Sequence, residues 1–153
     1  MKRALTLATL FALLLSPVRP LLAHCQVPCG IYTDQLRFEQ MLEDTKTIAK
    51  AIDQVKELAG QGDAQSVNQA SRWVATKEGH ASNIQKIMAE YFLTQRIKAD
   101  GDDYVGKLKA AHAVMVAAMK TKQQADPATA AKLREAILDF YRAYEGKEPQ
   151  LEG

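Results

Sequence analysis

The chain has 153 residues, with 20 Lys plus Arg against 18 Asp plus Glu. Three of the bases, Lys2, Arg3 and Arg19, fall in the first 23 positions, where no acid occurs, so the other 130 residues set 17 basic side chains against 18 acidic ones. That balance excludes the basic footprint of a nucleic-acid binder, and the length allows one domain with a real core but not two.

Residues 1–23 consist of a basic start, Met1-Lys2-Arg3, an apolar run from Ala4 to Leu15, and a stretch from Ser16 to Ala23 with two prolines. This is the layout of an export signal, and the run is too short to span a bilayer as a helix. Cleavage is expected between Ala23 and His24, which implies a processing peptidase as a partner and leaves no stable membrane anchor. The mature chain is then expected to be exported, to a periplasm or the extracellular space; it stays cytoplasmic if the segment is only a pro-segment.

Residues 24–32, His-Cys-Gln-Val-Pro-Cys-Gly-Ile-Tyr, hold both cysteines and one of the three histidines of the chain. With His24 as the first residue, its α-amine and the backbone nitrogen of Cys25 close a five-membered ring on a metal, and that nitrogen and Cys25 Sγ close a second. Cys29 reaches the fourth corner of the same plane if residues 26–28 turn back, which the fixed φ of Pro28 favours, and Gly30 lets the backbone leave the crowded site. The His24 imidazole remains for an axial position. Two nitrogens and two thiolates in a square suit nickel or copper(II) better than zinc.

The rest of the chain reads as helix, with 8 Gly, 5 Pro and few β-branched clusters. A first helix is expected from Thr33-Asp34, either of which can cap, to about Leu58, with Phe38, Met41, Leu42, Ile48, Ile52, Val55 and Leu58 on one face. A second runs from Asp63 or Ser66 to about Gln95, with Val67, Ala70, Trp73, Val74, Ala81, Ile84, Ile87, Met88, Tyr91 and Phe92 inward and Gly79 as a weak point or a place of close packing. A third covers Tyr104 to about Gln124 with Leu108, Ala111, Val114, Met115, Ala118 and Met119 inward. The fourth starts at Asp126-Pro127 and runs to about Tyr144, burying Leu133, Ile137, Phe140, Tyr141 and Tyr144. Glu43-Asp44 and most lysines read as solvated faces, with Lys77 a cation able to steer an anion locally. The expected fold is all-α, an up-down four-helix bundle over residues 33–146 with an irregular N-terminal metal-binding hook at 24–32 and a polar tail at 147–153.

His-Cys-x-x-Pro-Cys-Gly-x-Tyr at a processed N-terminus resembles the nickel-binding hook of the nickel superoxide dismutases, and residues 24–32 fit it at every fixed position. The resemblance implies an enzyme that disproportionates superoxide to oxygen and hydrogen peroxide by cycling nickel between its +2 and +3 states, with one ion per subunit in a homohexamer of four-helix bundles. It implies His24, Cys25 and Cys29 as ligands, the His24 imidazole binding axially in the oxidised state, and Tyr32 standing over the open face of the metal. Glu39 resembles the glutamate that holds the axial imidazole, and Tyr91 the second tyrosine near the site. Some members have an arginine where His80 aligns, which makes His80 a candidate for supporting the axial ligand in its place.

Two other readings of the same residues stay open. One is an exported helical carrier of nickel or copper without redox catalysis, which would have no use for Tyr32 and its helical supports. The other is a disulfide between Cys25 and Cys29 in an interaction module without metal, since exported cysteines usually pair.

Overall fold

A computed structural model describes Val27 and residues 30–151 of the chain. The expected leader and His24, Cys25 and Cys29 of the hook lie outside the described residues. Four helical rods make up the rest: α1 (Asp34–Leu58), α2 (Ala64–Lys86) continued by a π-helical segment (Ile87–Arg96), α3 (Tyr104–Gln123) and α4 (Pro127–Glu145). No strand occurs among the described residues. Each rod packs on its neighbours in sequence, and α1 closes the ring against α4, which is the expected up-down bundle.

Local chemistry sets most of the ends. Asp63 accepts from the backbone N–H groups of Gln65 and Ser66, both at 3.0 Å, and Asp126 accepts from that of Ala128 at 2.9 Å with Pro127 in the first turn. Gly146 ends α4 at φ +69°, a left-handed turn that glycine adopts without steric cost. The start of α1 differs from expectation. Thr33 occupies the cap position with no side-chain bond to the helix, and the Asp34 carboxylate is engaged elsewhere.

At the end of the bundle that carries the hook, the core is aromatic. Phe38, fully buried, lies 4.9 Å from the rings of Phe92 and Tyr141 and 5.3 Å from Phe140, and Tyr144 edges Phe92 at 5.3 Å. Such pairs add about 0.5–1.5 kcal/mol each beyond the area they bury, so the start of α1, the π segment and the end of α4 form one stiff platform. The remaining core is aliphatic, with Met41, Ile48, Ile52, Ile84, Val114, Leu133 and Ile137 all at zero exposure.

Several expectations are corrected by the packing. Val67 and Val74 are exposed, as is Met119, because a helix at the corner of a small bundle buries a narrower stripe than its apolar content offers. Gly79 is exposed, and nothing lies within 4 Å of the place a Cβ would take, so it permits no close approach. Asp44 and Lys77 are buried, not solvated. Lys77 Nζ donates to the carbonyls of Thr121, Lys122 and Gln124 at 2.7, 2.8 and 3.3 Å. It thereby satisfies acceptors left open at the end of α3, and its charge is spent there rather than on steering.

Candidate metal centre

The site is built where the N-terminal segment meets α1 and the π segment. A π turn closes i to i+5 instead of i+4; the Ile97 N–H reaches the Phe92 carbonyl at 2.9 Å, and Thr94 Oγ1 donates to the Ala89 carbonyl at 2.6 Å. The wider turn lets adjacent aromatics serve two layers. Phe92 enters the core against Phe38, while Tyr91, also buried, sends its hydroxyl outward to the start of α1.

That hydroxyl donates to Asp34 Oδ1 at 2.6 Å and lies 3.1 Å from the Tyr32 carbonyl oxygen. The other carboxylate oxygen of Asp34 accepts from Arg96 at 2.7 Å and from the Tyr144 hydroxyl at 2.9 Å. One carboxylate thus ties α1, the π segment and α4 together. Burial pushes the Asp34 carboxyl up, but the hydrogen bonds from Arg96, Tyr91 and Tyr144 outweigh it and hold the group below the usual carboxylate range. Burial and the neighbouring Asp34 charge drive the Tyr91 phenol far above its ordinary value, and the same causes push Tyr144 up to about 12.

The described part of the hook is fixed at two points. Gln95 donates to the Val27 carbonyl at 2.8 Å, with Val27 itself buried, and Tyr91 stands against the Tyr32 carbonyl. Residues 28 and 29 fall between these two fixings. Gly30 has φ +77°, a left-handed conformation that a side chain there would strain.

Beside the hook lies a cavity of about 240 Å³, whose lining includes Val27, Tyr32, Arg37, Asn83, Lys86 and Tyr91. Arg37 stacks its guanidinium 4.6 Å from the centre of the Tyr32 ring, and its Nε is buried without a hydrogen-bond partner among the described residues. Lys86 is exposed at the rim, 3.9 Å from Glu90. The cavity therefore offers two cations against the one carboxylate of Glu90, two phenols and the buried Nε–H of Arg37, a balance that favours a small anion.

Of the sequence candidates, Tyr32 and Tyr91 come together at this cavity. Glu39 does not line it; it accepts from Gln35 at 2.7 Å one turn earlier on α1, and its expected partner His24 lies outside the described residues. His80 sits in a neighbouring recess that shares Gln40 and Asn83 with the cavity. Its Nδ1 lies 2.6 Å from Asp44 Oδ1, and Asp44 Oδ2 accepts from Asn83 at 2.7 Å. Sequence reasoning missed Asp34, Gln95 and Asp44, whose partners are 36 to 110 residues away, and Arg37, whose stacking on the nearby Tyr32 no motif announces.

Among the described residues no three His, Cys, Asp or Glu side chains gather to hold a metal. Comparisons with curated proteins and with solved structures returned no match. A family model for nickel-containing superoxide dismutase matches residues 20–148, a range that spans all four helices, and the chain belongs to that family.

Proposed function

We propose that this nickel-type superoxide dismutase works through a nickel ion held by His24, Cys25 and Cys29, one per subunit, with Tyr32 controlling access. Family membership makes superoxide the substrate and nickel the cofactor; the ligand set, the electron cycle and the roles of single residues are the finer reading. The donor chemistry fits: the only two thiols of the chain are Cys25 and Cys29, and two thiolates with nitrogen donors suit nickel. When bound, nickel supplies the one-electron couple, moving between its +2 and +3 states.

The protein's own residues do the rest. Lys86, exposed at the mouth of the cavity, draws an anion in. The orphan Nε of Arg37 and the Tyr32 hydroxyl are donors for that anion, and the ring of Tyr32 narrows the entrance. The reading is carried by one observation, the fixing of the chain on both sides of Cys29 by Gln95 and Tyr91 beside that cavity.

The reading needs a free amine at His24, hence removal of residues 1–23. Export of the mature chain and assembly into a homohexamer belong to the same proposal. Support for assembly comes from Ile31 and Leu36, apolar side chains 72% and 54% exposed at the end of the hook and in the first turn of α1, which other copies would cover.

Electron paramagnetic resonance and mass spectrometry of the N-terminus, on one sample from the native source, test it. A rhombic nickel(III) signal with nitrogen hyperfine splitting on a chain starting at His24 is expected. A silent spectrum on processed, nickel-loaded protein would overturn the cycle and favour a metal carrier.

A further inference from the structure

Two phenols reach the cavity, and they differ in what they can still give. Tyr91 has one O–H, and of its two acceptors the Asp34 carboxylate is both nearer, 2.6 against 3.1 Å, and charged. The one O–H is therefore shared between two acceptors, with the charge-assisted arm to Asp34 the stronger and the arm to the Tyr32 carbonyl the weaker. Asp34 is itself fixed on its far oxygen by Arg96 and Tyr144, and the Arg96 guanidinium also covers the Tyr91 ring at 5.7 Å. Tyr91 is gripped at its hydroxyl and along its face. The Tyr32 hydroxyl has no hydrogen-bond partner among the described residues, and its ring, 43% exposed, stacks on Arg37.

We propose that Asp34 is a positioning residue of this enzyme: it holds the Tyr91 hydroxyl where its second, longer bond seats the Tyr32 carbonyl at the end of the hook, so that Tyr91 is a strut and Tyr32 is left as the phenol that meets the substrate. The inference rests on reading residues 24–32 as the nickel hook. It gives the two tyrosines distinct duties, one a rigid support and the other a working group. It also explains why a carboxylate in the first turn of α1 caps nothing: its acceptor capacity is used on three donors from the π segment and α4.

The test uses the full processed chain and four variants, Asp34→Asn, Tyr91→Phe, Tyr144→Phe and Tyr32→Phe. Two readouts do not depend on turnover: amide hydrogen exchange of residues 30–37 in metal-free protein, and the rate at which a chelator removes nickel from loaded protein. Asp34→Asn and Tyr91→Phe are expected to speed exchange about tenfold and to speed nickel loss, with the double variant no worse than either single one, because they cut the same strut. Tyr144→Phe removes a bond on the opposite oxygen, so it should lower Tm and leave exchange at the hook unchanged. Tyr32→Phe should leave exchange and nickel retention as in the parent and lower turnover alone. Unchanged exchange in both Asp34→Asn and Tyr91→Phe would overturn the strut, as would additive effects in the double variant. Nickel loss from Tyr32→Phe as fast as from Tyr91→Phe would overturn the division of roles. A parent chain that binds no nickel would instead sink the hook reading, and the exchange data would still decide the strut.

Discussion

Removing the Asp34 carboxylate takes the acceptor from Arg96 and Tyr144 and leaves Tyr91 only its longer bond to the Tyr32 carbonyl, with both tyrosines in a partly buried setting. Losing an acceptor of this kind costs about 1–3 kcal/mol for each buried donor left unmet, so Asp34→Ala should destabilise the fold by about 3 kcal/mol, read from urea unfolding at neutral pH. The sign of the pH dependence follows from the depressed carboxyl. A folded-state pKa below the unfolded one means that the native state favours the ionised form, so the contribution is complete above the ordinary carboxylate range. It is lost as pH falls through the folded value. The gap between parent and Asp34→Ala should therefore hold from pH 7 down to about 4 and close in stronger acid. A gap that stayed constant to pH 2 would mean that the ionised group is not what the three donors stabilise.

The rods themselves were legible because their ends are local. Asp63 and Asp126-Pro127 cap the helices they precede, and α1 stops at Leu58 before the Ala59-Gly60 turn, as reading along the chain expects. What was not legible depends on contacts between distant residues. The apolar positions 84, 87, 88, 91 and 92 satisfy an α-helical repeat equally well, so nothing in the pattern announces the π segment, whose wide turn is decided by Tyr91 meeting Asp34 and Phe92 meeting Phe38. Lys77 and Asp44 read as surface charges until α3 and His80 are brought to them. The hook motif was legible as chemistry, but its supports were not, since Gln95 is 68 residues from the carbonyl it holds. Two predictions belong here. Gly79→Ala, in the exposed interior of α2 with open space at its Cβ, should raise stability by about 0.5–1 kcal/mol, visible as a higher urea midpoint with an unchanged slope. Gln95→Leu removes the fixing at Val27, worth about 1 kcal/mol, and should speed nickel loss to a chelator about fivefold; unchanged loss would show that the hook is held without it.

Across the whole molecule, charge offers superoxide little guidance from a distance. Without residues 1–23 the balance is 17 basic against 18 acidic groups, and at 0.1 M salt fields are screened beyond about 10 Å in any case. Steering must then come from the few charges at the cavity mouth. Lys77 is consumed at the end of α3, and Arg96 is committed to Asp34. Arg37 lies under the hook against Tyr32, which leaves Lys86 as the exposed cation on the cavity wall, only loosely paired with Glu90 at 3.9 Å. A contact that long between exposed groups is worth little, so most of the Lys86 charge is felt by an approaching anion. Lys86→Gln should accordingly lower kcat/KM for superoxide about two- to threefold at low ionic strength, and the difference should vanish near 1 M salt, where screening reaches within about 3 Å. Nickel content and Tm should stay at parent values. If instead the deficit persisted at high salt, Lys86 would be acting by contact inside the cavity, and the anion's path in would have to be assigned to Arg37.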